Sequence, residues 1–196
     1  MEKQKKGIKF TRILIMANLF DLYKLIKEND VSAYTIYLDM DGVIADFDQR
    51  FIDIAGTTPN EYKKEFGMKK FWNLIDEENK VKFWVGIPLM AGAKELVDYI
   101  SQYDYEILTA PSVRKQSKLG KMVWLRKIHA DLFPNTPKVN FKPAKEKHQI
   151  KSTLTKSDIL IDDKASTIDN WNSTGGTGIL HTSAEDTIKQ LKQLKL

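Results

Sequence analysis

The sequence predicts an α/β fold built on a parallel sheet of about five strands with helices on both faces. Three observations predict it. Short apolar runs recur at 34–39, 105–109, 138–141, 158–163 and 177–181, and segments of helical spacing separate them. That alternation is the pattern of right-handed βαβ units. Two of the runs end in paired carboxylates, Asp39-Met40-Asp41 and Asp162-Asp163, at the strand end where open parallel sheets bind ligands. Finally, 196 residues with 42% hydrophobic and 29% charged side chains can enclose a real core.

Composition excludes several classes. There is no cysteine, hence no disulfide framework, thiolate metal site or thiol nucleophile; this fits a reducing compartment, and a cytoplasmic location (a host's cytoplasm for a phage-encoded chain) is expected. No apolar run approaches a membrane span. Ile13-Leu-Ile-Met-Ala17 is short for a signal-peptide core and lacks a cleavage site. The net charge is +5, but residues 1–15 hold five basic residues against one acid. The rest of the chain is therefore nearly neutral, with no basic stripe for stable nucleic-acid binding.

Taken in order, residues 1–33 read as an N-terminal extension with one amphipathic helix at Asn18–Glu28, where Leu19, Leu22, Tyr23, Leu25 and Ile26 recur at helical spacing. The strand at 34–39 leads through Gly42, which permits a sharp turn, into a helix at Ala45–Ala55. Gly56-Thr-Thr-Pro59 breaks that helix. Short helical pieces follow at Asn60–Phe66, Lys69–Leu74 and Glu77–Val85, closed by Gly86-Ile-Pro88. With no strand signal, 56–88 reads as a small helical cap inserted into an α/β core formed by 34–55 and 89–196. Most of its aromatic residues should be cap core; one or two are available to stack on a planar substrate.

A helix at Ala91–Gln102 precedes the strand Tyr105–Thr109, which ends in Thr109-Ala-Pro-Ser112. Lys118–Phe133 has the spacing of a long amphipathic helix stopped by Pro134. A short strand at Lys138–Phe141 leads to a helix at Ala144–Leu154. After the strand at 158–163 come a helical turn at Ser166–Trp171, a tight turn at Gly175-Gly176 and a last strand at Thr177–His181. Thr182-Ser-Ala-Glu185 has the form of a capping box opening the helix Ala184–Leu194. His129 and His181 suit packing or surface roles, while His148 lies beside candidate lysines.

The strand ends bring together Asp39 and Asp41, Thr109, a lysine after the third strand, and Asp162 with Asp163. Like charges this close need a cation or a shared proton. An oxygen-only set of carboxylates without His or Cys suits Mg²⁺. A hydroxyl and an ammonium could hold phosphate oxygens, one Asp could attack phosphorus, and the other could act as acid and base.

As a set, Asp39-Met-Asp-Gly-Val-Ile-Ala-Asp46, Thr109, a downstream Lys and Ile161-Asp-Asp163 resemble the four motifs of the haloacid dehalogenase superfamily of phosphatases, over roughly residues 34–195. The resemblance implies a Rossmann-like core with a helical cap, Asp39 as nucleophile and Asp41 as acid/base, and Mg²⁺ held by Asp39, the backbone carbonyl of Asp41, Asp162 and Asp163. It implies phosphate contacts from Thr109, from the backbone of Ala110 (where relatives often have Ser), and from Lys145 or Lys147, with Lys151 a third choice. A narrower likeness is to 5'(3')-deoxyribonucleotidases. It rests on Asp41-Gly-Val-Ile-Ala-Asp-Phe47, Phe71-Trp72, Phe83-Trp84, Leu160-Ile-Asp-Asp163 and Asn170-Trp171 through His181, and it implies that Phe47, Phe71 and Trp72 surround a nucleobase. The expected partner is a small-molecule nucleoside monophosphate, with a homodimer left open. Alternatives are another small phosphomonoester, a polynucleotide 3'-phosphate end, or an inactive binding module of the same fold.

Overall fold

The computed structural model describes residues 34–133 and 137–196; the expected extension, its helix at Asn18–Glu28 and the stop at Pro134 lie outside them. Five parallel strands form one sheet in the order β3-β2-β1-β4-β5. They are β1 (Thr35–Leu38), β2 (Asp104–Thr109), β3 (Val139–Phe141), β4 (Asp158–Asp162) and β5 (Thr177–Leu180).

Strand β1 is central, with Leu38 registered against Ile107 on one side and Ile161 on the other. Alternate residues of a strand face opposite sides, and two cores result. Ile36, Leu38, Ile107, Ile159 and Ile161 join one; Tyr37, Leu108 and Leu160 join the other. Helices α4 (Ala93–Ile100) and α7 (Ala184–Gln193) contribute Leu96, Val97, Ile100 and Leu191 to the first. Helix α6 (Ala165–Ser173) contributes Ile168 and Trp171 to the second. Trp171 meets the Tyr37 ring edge-on at 5.2 Å, and its indole N–H donates to the Asp158 carbonyl at 2.9 Å. Gly176 permits this seat, since a Cβ there would lie 2.2 Å from the Trp171 Nε1.

The chain between β1 and β2 carries the helical insertion. Helix α1 (Phe47–Ala55) starts two residues later than the spacing predicts. Ala45 is held instead in bridges to Asp41 and Leu89, and Asp46 caps the helix by accepting the Gln49 N–H. Helix α2 (Pro59–Asn73) opens on a full capping box between Thr58 and Glu61 and is interrupted at Gly67 (φ 80°), inside the gap the sequence predicts. A π-helical turn (Leu74–Asn79) and α3 (Val81–Val85) follow. Phe51, Phe71, Ile75, Phe83 and Trp84 are buried here.

Three further expectations are corrected. The predicted helix at 118–133 is α5 (Lys115–Val123), a π-turn (Trp124–Ile128) and a 3₁₀ turn (Ala130–Leu132). The change falls where buried Trp124 donates its indole N–H to the Ile87 carbonyl at 2.7 Å. The predicted α-helix at 144–154 is a 3₁₀ helix at Ala144–Ile150. It begins with a tight bond from the Glu146 N–H to the Pro143 carbonyl. The cap of α7 is one residue further on, with the Ser183 hydroxyl accepting the Asp186 N–H at 3.1 Å.

Candidate active site

The ladder continues one residue past β1, where the Asp39 N–H donates to the Ile161 carbonyl at 3.0 Å. This sets Asp39 beside Asp162, the last residue of β4. Both are buried. The next turn is tight: the Met40 carbonyl accepts the N–H groups of Val43, Ile44 and Ala45. Gly42 sits there at φ 79°, a conformation costly for other residues. A Cβ at this position would also strike the Asp163 carboxylate at 2.5 Å.

Two buried lysines knit the carboxylates together. Lys147 Nζ lies 2.9 Å from Asp39 Oδ2 and 2.6 Å from Asp162 Oδ2. Lys121 Nζ lies 2.6 Å from Asp41 Oδ2 and 2.7 Å from Thr109 Oγ1. The 3₁₀ geometry selects Lys147. At three residues per turn, Ala144, Lys147 and Ile150 share an edge; Lys147 is buried there, whereas Lys145 is exposed. Lys147, and not the exposed Lys145, is thus the lysine of this helix that reaches the carboxylates. Lys151 pairs instead with Asp158, and His148 lies in a separate surface pocket with Lys151 and Thr174.

Oxygens of Asp39, Asp162 and Asp163 lie within 4.8 Å of one another. The Asp41 carboxylate turns to Lys121, which leaves its backbone carbonyl as the group expected at the ion. Both oxygens of Asp162 are engaged, one by Lys147 and one by the Lys164 N–H at 2.9 Å. Asp39 Oδ1 and Asp41 Oδ1 are buried with no hydrogen-bond partner among the described residues.

The proton affinities follow from this crowding. Burial works against an ionised Asp39, but the adjacent Lys147 and Lys121 outweigh it and hold its carboxyl below the usual range. Lys147 is likewise opposed by burial, yet Asp39 and Asp162 hold it above its ordinary value. Burial, with the charge of Asp39, pushes Asp162 up. Asp163 is pushed up to about 6, mainly by loss of solvation around its carboxyl and then by Asp39 and Asp162, against the pull of Lys164.

A cavity of about 600 Å³ opens beside these groups, lined by Asp41, Gly42, Phe47, Phe71, Trp72, Ala110 and Asp163 among others. Of the predicted carboxylates, Asp41 and Asp163 line this cavity together with the three predicted aromatic residues. The Phe47 and Phe71 rings are 6.4 Å apart and tilted by 46°, within contact range of an aromatic pair, so no third ring fits between them. Phe71 also stacks on Phe51 at 4.8 Å and belongs to the core of the insertion. Phe47 and Trp72, both half-buried, present aromatic surface to the cavity.

Four contributors, Lys121, Asp76, Arg114 and Lys63, are absent from the sequence reading. Lys121 hides on a helix whose neighbours Trp124 and Leu125 face the core; a lysine three residues before a buried Trp was the available signal. Asp76 is buried and accepts the Ser112 hydroxyl at 3.0 Å, while Arg114 pairs with Glu77 at 3.0 Å. Together these fasten the insertion to the loop after β2. Lys63, on the cavity wall, sets its ammonium 5.0 Å from the centre of the Phe71 ring.

No protein-family model matches the sequence, and no curated protein matches it. Solved structures do match in fold. A haloacid dehalogenase-like family hydrolase from Xanthomonas campestris superposes with a TM-score of 0.52 at 11% identity, covering 83% of this chain and 92% of that one. A HAD-superfamily hydrolase, subfamily IA, from Geobacter sulfurreducens gives 0.52 at 11% identity, covering 83% and 98%. The five-stranded parallel sheet flanked by helices is the fold of haloacid dehalogenase-like hydrolases.

Proposed function

We propose that this chain is a Mg²⁺-dependent phosphomonoesterase acting on deoxyribonucleoside 5'(3')-monophosphates. The observation that carries the reading is the pairing of a buried, lysine-held Asp39 with a second carboxylate two residues on, Asp41, which lines an aromatic-walled cavity. Asp39 attacks phosphorus, the ester P–O bond breaks, and Asp41 delivers a proton to the departing oxygen. Water then attacks the phosphorus of the aspartyl phosphate and returns a proton to Asp41, releasing inorganic phosphate and free Asp39. Thr109, the Ala110 N–H and Lys147 bind the non-bridging oxygens.

The donor set fits a hard divalent cation: it is all oxygen, the carboxylates of Asp39, Asp162 and Asp163 lie within reach of one ion, and Asp39 Oδ1 is buried with no hydrogen-bond partner among the described residues. Asp39 and Asp163 would hold the ion directly, with Asp162 beside them and engaged by Lys147. The ion supplies charge neutralisation and positioning. At pH 7.5, Mg²⁺ at a hundredfold excess over its Kd should stabilise the fold by ~2.7 kcal/mol, raising Tm by roughly 5–10 °C. Asp163 is protonated below about pH 6 and then withholds its oxygen. The same Mg²⁺ addition should therefore raise Tm much less at pH 5, and equal shifts at both pH values would remove Asp163 from the ligand set.

The aromatic wall supports a nucleobase as the remote part of the substrate. A base stacked on Trp72 is worth about 1–3 kcal/mol. Trp72→Ala should thus raise KM for a deoxyribonucleoside monophosphate by roughly 5- to 150-fold, leaving hydrolysis of a ringless alkyl phosphate within twofold. Phosphate release from a panel of nucleoside monophosphates, small phosphomonoesters and end-phosphorylated oligonucleotides, with and without Mg²⁺, tests the reading. Equal rates on ringless esters would redirect it to a small phosphomonoester. No release from any of them would leave a binding module.

A further inference from the structure

Lys121 is wholly buried, 0% exposed, on a helix that also packs against the insertion. Its access depends on the preceding residue. A Cβ at position 120 would lie 2.3 Å from the Trp84 Cβ, so only Gly120 lets α5 approach that side chain closely. The ammonium is then enclosed by three groups: Asp41 Oδ2, Thr109 Oγ1, and the Trp84 ring with its centre 5.4 Å away. A buried lysine needs such partners to offset lost hydration. Two of these partners, Asp41 and Thr109, are the side chains assigned to proton transfer and phosphate binding.

The directions of the bonds decide what each partner can still do. A lysine ammonium has donors and no acceptor. Thr109 therefore accepts from Lys121, and its own hydroxyl proton is left to donate elsewhere. Asp41 likewise spends Oδ2 on Lys121, which leaves Oδ1, buried and unpartnered among the described residues, as the oxygen able to carry a proton. One ammonium thus assigns a donor role to Thr109 and selects one of two equivalent oxygens on Asp41.

We propose that Lys121 is a positioning residue for phosphoryl transfer, orienting Asp41 for protonation of the leaving group and Thr109 for donation to the phosphate. The inference rests on the phosphatase reading above. It separates Lys121 from Lys147, whose partners Asp39 and Asp162 belong to the nucleophile and the cation cluster.

Leaving-group dependence tests it, because a good leaving group needs no proton. For Lys121→Met, kcat/KM on an alkyl ester such as a deoxyribonucleoside monophosphate should fall at least 100-fold. On p-nitrophenyl phosphate it should fall less than tenfold. Asp41→Asn should show the same selective loss, and the double variant should be slower on the alkyl ester than Asp41→Asn by less than tenfold, the share that acts through Thr109. A uniform loss on both esters, or additive losses in the double variant, would overturn the proposal while leaving the phosphatase reading in place. A wild-type protein inactive on both esters would overturn both. If Lys121→Met does not fold, Lys121→Gln, which keeps an N–H donor without the charge, carries the same comparison.

Discussion

Asp39→Asn is expected to lower kcat by at least ~10³-fold, the scale on which hydrolases lose activity when their nucleophile is removed. An amide of the same shape keeps the hydrogen-bonding outline but cannot attack phosphorus. The fold should persist, because Lys147 retains Asp162 as a partner at 2.6 Å. The charge relations also predict the pH behaviour. Asp39 has its carboxyl held below the ordinary value in the folded chain. Its ionised form therefore adds stability above the unfolded-state pKa, and that contribution is lost as pH falls through the lower folded value. The variant should melt below wild type at pH 7, with the gap closing in acid. Circular dichroism and a steady-state assay read both effects. Turnover within tenfold of wild type would reject Asp39 as nucleophile.

Lys147→Met should have the largest effect on stability. It leaves Asp39 and Asp162 buried side by side without their shared cation, and removing one partner of a buried ion pair costs about 3–5 kcal/mol. At this chain length that is a fall in Tm of roughly 6–20 °C. Lys147 has its proton held more tightly than usual in the fold; its contribution is thus fully present below the unfolded-state lysine pKa and fades only as pH rises through the higher folded value. Acid should shrink the deficit by protonating the stranded carboxylates, and Mg²⁺ should recover part of it. The contrast is Lys145→Met, exposed and without an ion pair among the described residues, expected within about 0.5 kcal/mol of wild type. A reversed order of the two variants would return the phosphate-side lysine to Lys145.

The strand ends were legible because a buried parallel strand has to be apolar, so a carboxylate closing an apolar run stands out. Asp39, Thr109, Asp162 and Asp163 were readable for that reason, as was the break near Gly67 in the insertion. The helix at 144–154 differs from expectation because Ala144 and Ile150 are too few apolar residues to announce a period, and the threefold 3₁₀ turn is what puts Lys147 inward and Lys145 outward. Lys121 was overlooked because its partner Asp41 is 80 residues away in the chain; local periodicity holds no trace of such a pairing.

Local pattern, then, was sufficient for the sheet, the order of its elements and the acidic strand ends, because period and polarity are properties of neighbouring residues. The assignment of each cation to its carboxylate was decided only once the chain had closed on itself. Charge compensation in a buried site acts through space: two aspartates adjacent in the sequence pattern differ in their surroundings according to which ammonium, Lys147 or Lys121, packing delivers to them.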